Sequence, residues 1–149
     1  MKKIILSLVA IFAIIIIVVV VRSNRQEQID SANFVIGQAM VSDATIALRE
    51  TFPVDVMLDV SGTFPDGCTE LGDIIQTRDE TTGEFVVLIQ TKRPLDAMCT
   101  QALVDFQTSI MLQGTEGLPA GEYMVRINDL NRSFMFDIDN RVSDFDPLK

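Results

Sequence analysis

The chain has no histidine, no tryptophan, one tyrosine and two cysteines among its 149 residues. Without histidine it lacks the usual general base at neutral pH, the Ser-His and Cys-His nucleophile pairs, and imidazole ligands for zinc. Without tryptophan, and with one tyrosine, it lacks the stacking rings that sugar clefts use beside paired carboxylates. Positive charge is scarce as well, with twelve Lys and Arg against twenty-one Asp and Glu. Four of the twelve are Lys2, Lys3, Arg22 and Arg25, so residues 26–149 keep eight against all twenty-one carboxylates, a net of −13. Such a body repels nucleic-acid phosphates and anionic headgroups, so no nucleic-acid partner is expected. No catalytic residue and no cofactor are expected either, and the chain reads as a non-enzyme.

What the sequence does have is an unbroken apolar run, Ile4 to Val21, with Ser7 its one mildly polar member. As a helix the run spans roughly 27 Å, close to the hydrocarbon thickness of a bilayer. It is longer than the apolar stretch of a secretory signal peptide and ends Val19-Val20-Val21-Arg22 rather than in a small-x-small cleavage motif. Residues 1–22 therefore predict a signal anchor, a single transmembrane helix that holds the membrane through residues 4–21. The acidic remainder matches the translocated side, which places the C-terminal domain outside the cytoplasm. Residues 23–40 are polar at first and predict a stalk.

The remaining residues, 41–149, suffice for one domain with one core. Their apolar period is two: Val54, Val56, Leu58 and Val60 alternate with Asp55, Met57 and Asp59. Similar runs occur at residues 44–48, 73–78, 85–91, 106–112, 122–128 and 133–139, separated by turn signals such as Pro65-Asp66-Gly67 and Asp79-Glu80-Thr81-Thr82-Gly83. Seven short strands with no amphipathic helix between them predict an all-β, seven-stranded immunoglobulin-like sandwich behind the N-terminal helix. Leu118-Pro119-Ala120-Gly121-Glu122-Tyr123 has the form of a tyrosine corner, which gives Tyr123 a structural role. In an oxidising compartment Cys68 and Cys99 default to a disulfide, at the open end of a hairpin that turns near Asp79–Gly83.

The segments Pro65-Asp66-Gly67-Cys68-Thr69-Glu70, Lys92-Arg93-Pro94-Leu95-Asp96-Ala97-Met98-Cys99-Thr100 and Gly117-Leu118-Pro119-Ala120-Gly121-Glu122-Tyr123 together resemble a group of small bacterial extracytoplasmic immunoglobulin-like domains with one disulfide and no characterised function. The resemblance spans about residues 51–140 and implies fold, disulfide and compartment. It implies no substrate and no catalytic residue. Members of that group carry lipoprotein or signal-peptide leaders, from which the long anchor here departs.

Two polar features invite a functional reading. Lys92, Arg93, Pro94 and Leu95 form the one basic spot of an acidic domain, beside the cysteines, and are a candidate recognition loop for an unidentified protein partner. The plainer alternative leaves Lys92 and Arg93 solvated and has Leu95 and Met98 cap the core. Asp137, Asp139 and Asp144 are weak calcium candidates, since the segment lacks the spacing of an EF-hand. Asn131-Arg132-Ser133 fits a glycosylation sequon. The function expected is a membrane-tethered binding or assembly module. A structural subunit associating through its helix and a calcium-dependent adhesion-like domain are the alternatives.

Overall fold

A computed structural model of the chain describes residues 15–19 and 33–141. Residues 15–19 are helical, and among the described residues no helix is long and apolar enough to cross a membrane. The rest of the anchor expected at residues 4–21, and the stalk up to residue 32, lie outside the described residues. The chain divides between Val35 and Ile36, and the architecture that follows is that of the second unit, whose first strand begins at Phe34, two residues before the division.

It is a β-sandwich. The strands are β1 (Phe34–Gln38), β2 (Met40–Leu48), β3 (Val56–Phe64), β4 (Glu70–Arg78), β5 (Phe85–Pro94), β6 (Val104–Met111), β7 (Gly121–Ile127) and β8 (Leu130–Phe136). One sheet has the order β1-β5-β7-β8 with β4 on the other side of β5, and the second has the order β2-β3-β6. Alternation decides which side chains meet between the sheets. In β3, Val56, Leu58 and Val60 are buried while Met57, Asp59 and Ser61 face outward. Val87 and Ile89 of β5, Val125 and Ile127 of β7, and Phe134 and Phe136 of β8 close the core from the opposite sheet. Each such side chain contributes on the order of 2 kcal/mol when it leaves water.

Every strand expected from alternation is present, with boundaries moved by a few residues. Two features depart from the expectation. The described residues hold eight strands rather than seven, and β1 lies in the segment assigned to the stalk. Moreover β5 and β7 run parallel, whereas an immunoglobulin-like sandwich has antiparallel sheets. The two departures share a cause. β7 pairs with β5 only from Phe85 to Val87, so the rest of that buried edge would be left with unpaired peptide groups. The chain around β1 takes it up, with the Ala39 N–H donating to the Ile89 carbonyl at 3.0 Å. A buried edge imposes this pairing whatever the hydropathy of the strand that supplies it.

Where β1 gives way to β7 sits Asn128, 6% exposed and with φ +51°. Its backbone N–H donates to the Val87 carbonyl (3.0 Å). Its side-chain Oδ1 accepts from the Ile89 N–H (2.8 Å), and its Nδ2 donates to the carbonyls of Ala39 (2.7 Å) and Ile89 (3.1 Å). The side-chain amide thus substitutes for a peptide group in the ladder. Asn140, 1% exposed, does the same on the far side of the core. It accepts from the Val54 N–H and donates to the Val54 and Thr115 carbonyls. Among the described residues no buried side-chain nitrogen or oxygen lacks a partner.

Candidate interaction site at the disulfide pole

Cys68 precedes β4 and Cys99 follows β5, so their disulfide closes the open end of the β4–β5 hairpin, with the two Cα atoms 5.5 Å apart. Around it the loop before β4 is tied down by Asp66. Oδ1 of Asp66 accepts from the N–H groups of Cys68 (3.0 Å) and Thr69 (2.9 Å) and from the Thr69 hydroxyl (2.8 Å). Its Oδ2 accepts from Arg93 Nε at 2.6 Å, and the same guanidinium donates to Cys99 Sγ at 3.4 Å. The Gly67 N–H donates to the Thr100 carbonyl (3.1 Å), and a Cβ at Gly67 would run into the Thr100 hydroxyl. Glycine is therefore required where the two loops touch.

The Thr69 hydroxyl above all, then Arg93 and the two backbone N–H groups, outweigh an opposing effect of burial and hold the Asp66 carboxyl down to about 2. Because the folded value lies below the unfolded one, Asp66 favours the fold above the ordinary carboxylate range. That contribution fades as pH falls toward about 2.

The expected recognition loop is thereby redistributed. Arg93 is not a solvated charge: it is turned inward onto Asp66 and the disulfide. Lys92 lies 3.9 Å from Glu70. Leu95 and Met98 do not cap the core, since Leu95 is 52% exposed and Met98 fully exposed; Leu103, four residues after Cys99, is 67% exposed. Their hydropathy suggested burial, but the disulfide and the Asp66–Arg93 pair hold this loop outside the sandwich. The pole is an apolar tip on a cross-linked base.

Elsewhere, the Tyr123 hydroxyl donates to the Pro119 carbonyl at 2.7 Å, and the ring stacks on Phe134 with centroids 5.5 Å apart. Of the calcium candidates, Asp137 is exposed, Asp139 accepts from the Ala120 N–H at 2.7 Å, and Asp144 lies outside the described residues. Among the described residues, Asp66, Cys68 and Cys99 are the one cluster of three metal-capable groups. Both sulfurs are in the disulfide, so neither is a thiolate ligand while the bridge is intact. Asn131 of the sequon is exposed at the start of β8. The following Arg132 clamps the two sheets by donating to the Ala44 carbonyl and the Asp43 carboxylate, each at 2.8 Å. Sequence reasoning missed Asn128, Asn140 and Asp66, all of which stand in or beside turn motifs that conceal a long-range partner.

Comparison with known proteins agrees with this architecture. Residues 58–136, from β3 through β8 and including both cysteines, match the model of the ORF11 beta-sandwich domain. A protein of Herpetosiphon aurantiacus described as "Uncharacterized 10.2 kDa protein in HgiCIIM 5'region" is 34% identical over 91 residues, which is 61% of this chain and 93% of that protein. Two more from the same organism, the 10.2 kDa proteins in the HgiBIM and HgiEIM 5' regions, are each 35% identical over 80 residues, 54% of this chain and 93% of theirs. No solved structure matches the chain. With more than half of its length covered by the family model and its relatives matched nearly end to end, the chain belongs to the ORF11 beta-sandwich domain family.

Proposed function

We propose that the chain is a membrane-tethered, extracytoplasmic binding or assembly module without catalytic activity, and that it engages a protein partner through the disulfide pole. The observation that carries this reading is the exposure of Leu95, Met98 and Leu103 on a base fixed by the Cys68–Cys99 bridge and the Asp66–Arg93 pair. Exposed apolar side chains cost solubility, and a rigid mount lowers the ordering entropy that binding must overcome. The surrounding net charge of −13 over residues 26–149 favours a partner whose apolar pocket has a basic rim. The apolar run from Ile4 to Val21 supports the tether, and a disulfide is in keeping with an oxidising compartment.

The test is cross-linking of the tagged full-length chain in the membranes of cells that make it, comparing wild type with Leu95→Asp/Met98→Asp. Both positions are exposed, so the fold tolerates the change. The expected result is a discrete cross-linked protein that the double variant loses at least tenfold. An adduct pattern identical in the two chains excludes the pole as the binding surface.

A further inference from the structure

We propose that the β6 edge of the second sheet is a self-pairing surface, at which two copies of the chain join antiparallel and merge their three-stranded sheets into one of six strands.

The register of β3 with β6 shows which peptide groups are available. The Leu112 N–H donates to the Val56 carbonyl, and the pairing runs without a shift from Met57↔Met111 to Phe64↔Val104. In an antiparallel ladder the residues that bond a given neighbour alternate. The even-numbered residues of β6 therefore bond β3, while those of Asp105, Gln107, Ser109 and Met111 point their N–H and C=O groups away from the sheet. β6 ends the order β2-β3-β6, so among the described residues no further strand receives them.

One of these edge positions is already filled. The Gln76 side-chain amide reaches across from β4, donating Nε2–H to the Met111 carbonyl (3.0 Å) and accepting the Gln113 N–H (2.9 Å). An amide thus sits where the peptide group of an added strand would sit, which shows that the edge accommodates one. Among the described residues the outward peptide groups of Asp105, Gln107 and Ser109 have no such occupant, and all three residues are exposed.

Edges of this kind are normally protected by bulges, proline, basic side chains or a covering group. β2 has a register shift between Val41 and Asp43 and its Ala44 carbonyl is covered by Arg132. β4 has a shift between Leu71 and Ile74. β6 has no register shift, and Val104-Asp105-Phe106-Gln107-Thr108-Ser109-Ile110-Met111 contains no Pro, Lys or Arg; its one covering group among the described residues, the Gln76 amide, stands at the Met111 end and leaves Asp105, Gln107 and Ser109 open.

A second copy fits this edge with Gln107 at the centre. Pairing about Gln107 places Gln107 opposite itself and Asp105 opposite Ser109 of the other copy, in both directions. All six free peptide groups are then used, outward-facing side chains stay on one face, and no two carboxylates stand opposite each other. The neighbouring register, centred on Thr108, would need the Met111 carbonyl that Gln76 already holds. The contact is isologous and closes at two copies. It does not use Leu95 or Met98, the side chains changed in the test of the disulfide pole, so either proposal can fail without the other.

The experiment uses the full-length chain in membranes, carrying single cysteines under mild oxidation, with mass mapping to confirm that Cys68–Cys99 stays intact. A hydrogen-bonded antiparallel pair has Cα atoms about 5.5 Å apart, within disulfide range. Gln107→Cys is therefore expected to form a covalent dimer. Asp105→Cys or Ser109→Cys alone places the two thiols about 14 Å apart and is expected to yield at least tenfold less, while mixing those two chains restores the cross-link. Gln107→Pro removes only an outward N–H, leaves the β3 ladder whole, and is expected to abolish the mixed cross-link with the melting temperature unchanged. Should that variant fail to fold, the cysteine series still decides. No dimer at 107, equal yields at 105, 107 and 109, or a mixed cross-link that survives in a folded Gln107→Pro chain each overturns the proposal.

Discussion

Replacing Asn128 with Ala is expected to lower the stability of the sandwich by about 4 kcal/mol, because two buried peptide groups lose their partner and each costs about 1–3 kcal/mol when left unsatisfied. The groups are the Ile89 N–H and the Ala39 carbonyl; the Ile89 carbonyl loses one of two donors and keeps the Ala39 N–H. For a domain of this size that corresponds to a fall in melting temperature of roughly 20 °C. Thermal unfolding followed by circular dichroism suits a chain without tryptophan. Asn128→Gly separates backbone from side chain. Glycine removes any penalty of the φ +51° conformation, yet it loses the same side-chain bonds. A Gly variant as destabilised as Ala assigns the effect to the amide. One close to wild type would show that Asn128 is needed only for its turn conformation. Asn128→Asp is expected to be at least as harmful as Ala, since a carboxylate would face two carbonyls in the core.

Removing the bridge as Cys68→Ser/Cys99→Ser is expected to cost about 3–4 kcal/mol, the loop-closure entropy of a cross-link with a sequence separation of 31. Urea unfolding of the oxidised and double-serine chains measures it. The midpoint should move sharply to lower urea, with a steeper slope because the unlinked denatured chain exposes more surface. The Asp66–Arg93 pair remains in the variant and keeps part of the pole in register, so the sandwich should still fold. A midpoint that does not move would mean that the bridge is an ornament of the loops rather than a constraint on the unfolded chain.

Much of the fold was legible because alternation is a local property. Val54, Val56, Leu58 and Val60 declare an inward face without reference to any other strand, and the turn residues bound each run. What was not legible depends on partners far along the chain. β1 is a short stretch with a glycine that reads as spacer, and it becomes a strand because β7 leaves part of a buried edge unpaired. Asn128 reads as a hairpin turn and Asn140 as part of a polar tail, yet their side chains reach residues 39 and 86 positions away. Arg93 reads as a surface cation until Asp66, distant in sequence, is placed against it by the disulfide. In the loop between β5 and Cys99 the environments are the reverse of those hydropathy suggests: Arg93 is packed on Asp66 and the disulfide, and Leu95 and Met98 are exposed.

Exposure of that tip on the outer side of the membrane is the claim on which the proposed function depends. Met98 is fully exposed, so Met98→Cys offers a reporter thiol without touching the fold. Intact cells making this full-length variant should be labelled at position 98 by a membrane-impermeant maleimide, while Cys68 and Cys99 stay unreactive until a reductant is added. A position 98 that labels only after the cells are opened, or native cysteines that label without reduction, would contradict it.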